Sequence, residues 1–423
     1  MSTAEMVVER IERLARIIAY PWNLTRRVFS PRQAEAEGLV LAWMGEAGLS
    51  SRRDPAGNLL GRIAGRIPGG PAILVAGHVD TRSDASPYDG ALGVLMGIAA
   101  VERLVRQGTS LHHAVEVVAF VDDASSRFPV PRLGSRAVVG RIAPHMLDFD
   151  DDYGVTLRQA MQAHGLDPEG LADATRSVGD VLAYVEVAAE AGPTLEQSGS
   201  PVGVVPALTA SSVLRVTLKG AAVHAATVPM AFRHDALAGT AECVLEAEPI
   251  GSSRDRATVT VGPLDAQPVP VSVVTGSVTF GVIVQSSDDA ERHVVAAELV
   301  AAFNRIAGRR RLEIAVEQGI DPDATRCDPG LVRLFERAVE ASGHSVVQLP
   351  QGMPTDASNM SVLAPVGSAL LRCRGAAGWG PAGIVDPADV AVGLDVLTFV
   401  LAALTTGSDA TPSDTLDGHR KSS

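Results

Sequence analysis

The chain has 423 residues, 46% of them hydrophobic and 20% charged, with a formal net charge of −13. That length buries a large core and predicts two domains. The negative balance excludes a nucleic-acid binder, since the only basic run, Arg309, Arg310 and Arg311, reads as a solvated turn. Three widely spaced cysteines (Cys243, Cys327 and Cys373) exclude a disulfide framework and a cysteine-ligated zinc. Lys219 and Lys421 are the only lysines, and the second sits in a polar tail, which excludes Schiff-base chemistry. No apolar run approaches a membrane span free of charges, so no membrane partner is expected. The first ten residues carry acidic side chains where an export signal would be apolar, and the expected location is the cytoplasm.

Residues 72–80 (AILVAGHVD) are an apolar run ending in polar residues, which predicts a buried strand with a functional carboxyl end. Leu92 to Val105 carries apolar residues every three or four positions and predicts a helix. Ala114 to Val121 (AVEVVAFV) predicts a second buried strand. This alternation predicts an α/β fold with a doubly wound, mostly parallel sheet, and such sheets place their sites at the strand carboxyl ends. His78, Asp80, Asp122 and Asp123 fall there.

From about residue 210 the pattern changes. Strands are predicted at Ser212–Leu218, Ala257–Val261, Ser277–Val284 and Leu312–Glu317, with helices at His234–Glu248 and Glu291–Ala307. The order βαββαβ is that of a small ferredoxin-like domain. The expected organisation is a catalytic domain at 1–209 and 323–406, an inserted lid or dimerisation domain at 210–322, and a disordered tail at 407–423.

Several segments, in order and over nearly the whole chain, carry a resemblance. They are GNLLGR from Gly57, GHVDT at 77–81, YDGALGVLMG at 88–97, VEVVAFVDDASSRF at 115–128 and LGSRAVVG at 133–140. YVEVAAEAGPTLE from Tyr184, VHAATVPM from Val223 and RHDAL from Arg233 follow. Together they resemble the two-domain dinuclear zinc amidohydrolases, the N-carbamoyl-amino-acid hydrolases, allantoate amidohydrolases and β-ureidopropionases. The resemblance implies two zinc or manganese ions sharing an aspartate and a metal-activated water whose proton passes to a glutamate. It also implies a homodimer joined through the small domain, with a histidine reaching across it to an oxyanion.

Mapped onto this chain, the resemblance is incomplete. His78 stands at the first histidine ligand, with Asp80 placed to orient its ring, and Asp89 stands at the bridging aspartate. The base glutamate reads Asp123, and the ligand positions that follow read Ala124, Ala188 and Val385. Alanine and valine offer no lone pair, whereas a catalytic zinc needs about three ligands. The resemblance keeps His224 at the oxyanion position and Arg127 and Glu190 as substrate contacts. It places Gln285 where an arginine grips a carboxylate, Ser272 where an asparagine stands, and Thr355 with Asp356 where a histidine–aspartate pair stands.

Plainer readings exist for several of these residues. Asp89 lies in an Asp-Gly turn signal before a helix. Asp122 and Asp123 also end a strand, Arg233 and Asp235 also hold a helix start, and His112 and His113 match no motif. Three functions follow. In the first, a repurposed metal-independent enzyme uses His78, Asp123 and His224 on a small amino-acid-like or acyl substrate, by condensation, cyclisation, acyl transfer or elimination, with specialised metabolism as a natural home for it. It needs no cofactor and leaves room for at most one weakly held zinc or manganese. In the second, a catalytically dead homologue serves as a binding subunit. In the third, a single-metal hydrolase cleaves amide or ureido C–N bonds at an ion held by His78, Asp89 and Asp123.

Overall fold

The apolar runs at 72–78 and 114–120 become the middle of a seven-stranded sheet. In the computed structural model, which describes residues 2–18, 24–82, 85–122, 127–268, 270–319, 322–375 and 383–406, this sheet organises the larger of two units. That unit spans Met1–Pro206, Arg326–Gln351 and Thr355–Ser423, and the smaller spans Ala207–Thr325 with Gly352–Pro354. The expected tail from residue 407 lies outside the described residues, as do Asp123 and Ala124.

The strands of the large sheet are β1 (Ser50–Arg53), β2 (Leu59–Ile63), β3 (Ala72–His78), β4 (Ala114–Phe120), β5 (Val181–Ala189), β6 (Val202–Val205) and β13 (Val366–Leu371), in spatial order β1-β2-β4-β3-β5-β13-β6. The central four, β4, β3, β5 and β13, run parallel, while the ladders β1–β2, β2–β4 and β13–β6 are antiparallel. Period-two alternation gives the sheet two different faces. Ile73, Val75, Val117, Val185, Val187 and Leu371 enter the main core. The register puts Leu74, Glu116 and Tyr184 at one level of the other face, and Ala76, Glu186 and Ser368 at the next.

The apolar face is covered by α3 (Ala91–Arg106), α9 (Pro329–Ala341) and α11 (Pro387–Thr406), with α1 (Thr3–Ala15) packed on α3 and α11, while α2 (Pro31–Glu46) packs on β1 and β2. Helix α3 lies with its backbone almost on the sheet. A Cβ at Gly93 would come within 2.7 Å of the Val187 carbonyl oxygen, and one at Gly77 within 2.5 Å of the Gly90 carbonyl oxygen. The glycines of the GHVDT and YDGALG segments are therefore the condition for this close approach. Shorter helices, α4 (Leu133–Val138), α5 (Leu157–Ala163), α6 (Thr194–Ser198) and α10 (Asp356–Met360), complete the unit.

Helix α11 corrects the sequence-based expectation about apolar runs, since it is long and apolar enough to cross a membrane. Its apolarity is spent on packing against α1, α3 and α9, and its Asp389 accepts two hydrogen bonds from Arg372 at 2.9 and 2.7 Å.

In the smaller unit, the short strands β7 (Ala207–Leu208) and β12 (Thr325–Arg326) mark where the chain enters and leaves. Between them run β8 (Ala210–Lys219), α7 (Ala236–Ser252), β9 (Ala257–Gln267), β10 (Ser277–Ser286), α8 (Asp289–Arg310) and β11 (Glu313–Gln318). This is the βαββαβ order, folded as an antiparallel sheet β11-β8-β10-β9. Alternate residues of β8 and β10 (Leu214, Val216, Val282, Val284) pack on Leu299 and Phe303 of α8. Asp235 and Asp288 cap α7 and α8 by accepting two backbone amides each.

Candidate active site

His78 ends β3 at the carboxyl edge of the parallel strands and is 7% exposed. Its Nδ1 lies 3.0 Å from the backbone carbonyl oxygen of Asp80. A carbonyl only accepts, so this contact places a proton on Nδ1. The Asp80 carboxylate does not do this, as the sequence had suggested. Its Oδ1 is 3.9 Å from Nδ1 and accepts the Asp122 amide at 3.1 Å. Nε2 of His78 turns toward Asp89 Oδ1 at 3.6 Å, an ionic spacing longer than a hydrogen bond. Burial pushes the Asp89 carboxyl up, but His78 and the charge of Arg82 outweigh it and hold the group below its ordinary value. Gly90 closes the back of the ring. Its φ is +66°, and a Cβ there would overlap the His78 ring atoms Cγ, Cδ2 and Nδ1.

The end of β4 is fixed just as firmly. Asp122 is fully buried with φ +54°, a left-handed conformation uncommon outside glycine. Its carbonyl accepts the Arg132 amide at 2.8 Å. Asn58 Oδ1 accepts the Val121 amide at 3.1 Å, and Asn58 Nδ2 donates to Asp54 Oδ2 at 2.8 Å and to the Gly134 carbonyl at 3.3 Å. The GNLLGR and LGSRAVVG segments thus meet to hold the chain entering the site. Asp123, the expected base, lies immediately beyond, outside the described residues.

A buried cation that the sequence reading missed lies below the His78 segment. Arg26 is 1% exposed, and its Nε donates to the Val79 carbonyl at 3.0 Å. Its Nη1 donates to the Leu14 carbonyl at 2.6 Å. Burial pulls its pKa down to about 10, against the opposing charge of Asp80. The signal lay in the polar segment Leu24–Arg27, which carries no periodicity.

The β5 side supplies less chemistry. The β3–β5 pairing runs as far as Ala76↔Glu186, and two residues farther along each strand stand His78 and Ala188. Glu186 accepts from the Tyr184 hydroxyl at 2.9 Å and from Thr355 Oγ1 at 2.7 Å, and Thr355 also caps α10. Asp356 follows as the first residue of α10 and is 3% exposed. Val385 is 1% exposed and belongs to the main core. Two expected substrate contacts are bound up in the fold. Glu190 accepts the Thr194 and Leu195 amides at 2.8 and 2.9 Å. Arg127 donates to Asp151 at 2.8 Å and to the Val28 and Phe29 carbonyls at 3.0 and 3.2 Å.

In the smaller unit His224 is exposed, and its Nδ1 accepts the Ala226 amide at 3.2 Å, which puts the proton of the neutral ring on Nε2. The Ser272 carbonyl accepts the Ala225 amide at 2.9 Å. Gln285 Nε2 donates to the Gly352 carbonyl at 3.1 Å, leaving Oε1 as an acceptor. Arg233 donates to the Val228 carbonyl at 3.0 Å and to that of Ala225, so with the Asp235 cap it holds the entry to α7.

Among the described residues no three His, Cys, Asp or Glu side chains are grouped to hold a metal ion. Burial pushes the Cys243 and Cys327 thiols up to about 12 and that of Cys373 to about 11, which removes them as nucleophiles at neutral pH.

Comparison with known proteins accords with this geometry. Residues 87–403 match the model of peptidase family M20/M25/M40. The chain is 32% identical to the N-carbamoyl-L-amino acid amidohydrolase of Geobacillus stearothermophilus, over 96% of this chain and all of the relative. It is also 32% identical to the allantoate deiminase of Arabidopsis thaliana, over 93% of this chain and 81% of that one. Among solved structures, a hydantoinase/carbamoylase family amidase from Burkholderia multivorans superposes with a TM-score of 0.87 at 26% identity, covering 95% of this chain and 98% of that one. The chain belongs to peptidase family M20/M25/M40.

Proposed function

We propose that this chain is an enzyme that acts on a small amino-acid-derived carbamoyl or acyl compound through its own side chains, without a two-metal centre. The substrate class is taken from relatives named as N-carbamoyl-L-amino acid amidohydrolases and allantoate deiminases. One observation carries the rest: the imidazole of His78 is fixed by the Asp80 carbonyl at Nδ1 and faces Asp89 at Nε2. A neutral ring held this way has its lone pair on Nε2, ready to take a proton, and the Asp89 carboxylate stabilises the imidazolium that results. A resident two-metal centre does not fit the donors here. Position 188 is an alanine with no lone pair, Val385 is core, and among the described residues the His78–Asp89 pair falls short of the three or so ligands that a catalytic zinc requires.

The remaining assignments follow the same reading. Asp123 is the second acid–base group. His224 donates its Nε2 proton to the developing oxyanion. Gln285 and Asp356 are assigned to substrate contact, whereas Asp80, Arg127, Glu190 and Thr355 serve the fold. With an amide in place of a cation at Gln285, the substrate group there is neutral or a hydrogen-bond donor. A second reading, a single-ion amide or ureido hydrolase, draws on the same Nδ1–carbonyl contact, because it also orients a ligand imidazole.

The test is turnover of a panel of N-carbamoyl and N-acyl amino acids and allantoate, followed by mass spectrometry with and without chelator. Turnover indifferent to chelator and reduced roughly 100-fold or more by His78→Ala is expected. Turnover abolished by chelator and restored by zinc would overturn the metal-independent reading.

A further inference from the structure

Arg26 lies 52 positions before His78 in the chain, yet its hydrogen bonds converge on the peptide that carries this histidine. The Nε–H donates to the carbonyl of Val79, the residue between His78 and Asp80. The Nη1–H donates to Leu14, and at 3.5 Å to Ile17, both at the carboxyl end of α1. The Arg26 backbone continues the clamp: its amide donates to Thr81 Oγ1 at 2.8 Å, and its carbonyl accepts the Thr81 amide at 3.0 Å. Thr81 Oγ1 in turn donates to the Leu24 carbonyl at 3.1 Å. A wholly buried guanidinium is expensive to desolvate, and packing alone would be served more cheaply by an apolar side chain. What a guanidinium adds is several donors in a fixed plane, able to hold two separate backbone segments at once.

We propose that Arg26 is a positioning residue for the site: by holding the Val79 carbonyl against the end of α1, it sets the Asp80 carbonyl where it receives the Nδ1 proton of His78. The chain of contacts runs from α1 through Arg26 to Val79, across one peptide to the Asp80 carbonyl, and from there to the imidazole. The first helix is thereby part of the site through its main-chain carbonyls. The inference rests on the reading that His78 is the working group. Its test is independent of any reaction.

The experiment is nitrogen-15 NMR of the full chain with labelled histidine, with the His78 resonances assigned by their loss in His78→Ala. In the native protein the Nδ1 proton, held by the Asp80 carbonyl, should be a resolved and slowly exchanging signal. Arg26→Met should raise its exchange rate by about tenfold or more, the value of one lost hydrogen bond. The signal of His164, whose ring is tied to Glu37 at 3.0 Å, should not change. Arg26→Lys, which keeps the charge and one donor at a time, should recover part of the protection. Should Arg26→Met fail to fold, the lysine variant decides, because a partial loss of protection at His78 alone is still expected. An unchanged His78 signal in either folded variant, or equal loosening of His78 and His164, overturns the inference. An absence of turnover in the native protein beside a positive NMR result would count against the proposed reaction and leave the positioning role standing.

Discussion

Gly90→Ala puts the construction of the site under direct strain. Two costs add. The backbone at φ +66° is unfavourable for an alanine by about 1–2 kcal/mol. The new methyl would also overlap the His78 ring, so the imidazole must leave its place, at about 1–3 kcal/mol for overpacking and the lost Nδ1 contact. The total is about 2–5 kcal/mol, which for a unit of this size lowers its melting temperature by roughly 4–10 °C. Gly69→Ala is the control. Gly69 has nearly the same φ, +68°, but nothing within 4 Å of an added Cβ, so it should show the backbone cost alone. Calorimetry gives both shifts, and histidine-labelled NMR reports the ring. If the two variants lose equal stability, or if the His78 signals stay in place in Gly90→Ala, the account of how α3 backs the imidazole is wrong.

Other predictions test the surroundings. Each oxygen of the buried Glu116 carboxylate pairs with an arginine, Arg62 or Arg176, at 2.5 Å. Burial pushes Glu116 up, but the two cations prevail and hold its pKa below 4.5 in the folded state. The stabilisation is therefore complete above the unfolded value and lost as pH falls through the folded one. Glu116→Gln should cost about 2 kcal/mol near neutral pH, less than a fully buried pair because Arg62 is 37% exposed. Thermal melts of variant and native protein should converge at acid pH. Asn58→Ala strands the Val121 amide and two further groups in the interior, and should cost about 2–4 kcal/mol by chemical denaturation. Ala188→His places an imidazole on the strand next to that of His78 and should tighten zinc binding at least about tenfold in a chelator competition. Val385→His buries an unpartnered imidazole and should destabilise by about 2 kcal/mol, seen as a lower melting temperature.

The parts of the fold that the sequence makes legible are those with one dominant pattern. β3 and β4 are buried on both faces, so their composition is continuous, and α3 follows with a helical period. The βαββαβ order of the smaller unit is equally plain, because β8 and β10 alternate residue by residue. Elements whose pattern is short or mixed are hidden. The four residues of β1 are Ser, Ser, Arg and Arg, and nothing local says that they pair with β2. Helix α11 reads as broken by charge because Asp389 looks exposed until Arg372 is seen beside it. In the site, His78 and Asp89 are legible from motif context, but their working partners are not. The contact to Nδ1 is a backbone carbonyl, and no side-chain pattern reports a carbonyl. Arg26 is invisible for the same reason: its acceptors are main-chain atoms of segments distant in sequence. Glu190 and Arg127 look chemical in the sequence because a charged residue in a motif carries no mark of whether substrate or backbone takes its hydrogen bonds.

The central claim is that the chemistry at the strand ends is carried by the His78–Asp89 pair and not by resident metal ions. Inductively coupled plasma mass spectrometry of protein purified without added metal tests it most directly, with the His78→Ala, Asp89→Ala double variant alongside. Less than about a tenth of an equivalent of zinc, manganese or nickel per chain is expected in both, since two ligands hold such ions weakly. Near-stoichiometric metal in the native protein that disappears in the double variant would contradict the claim and show a metal site rebuilt around the same two side chains.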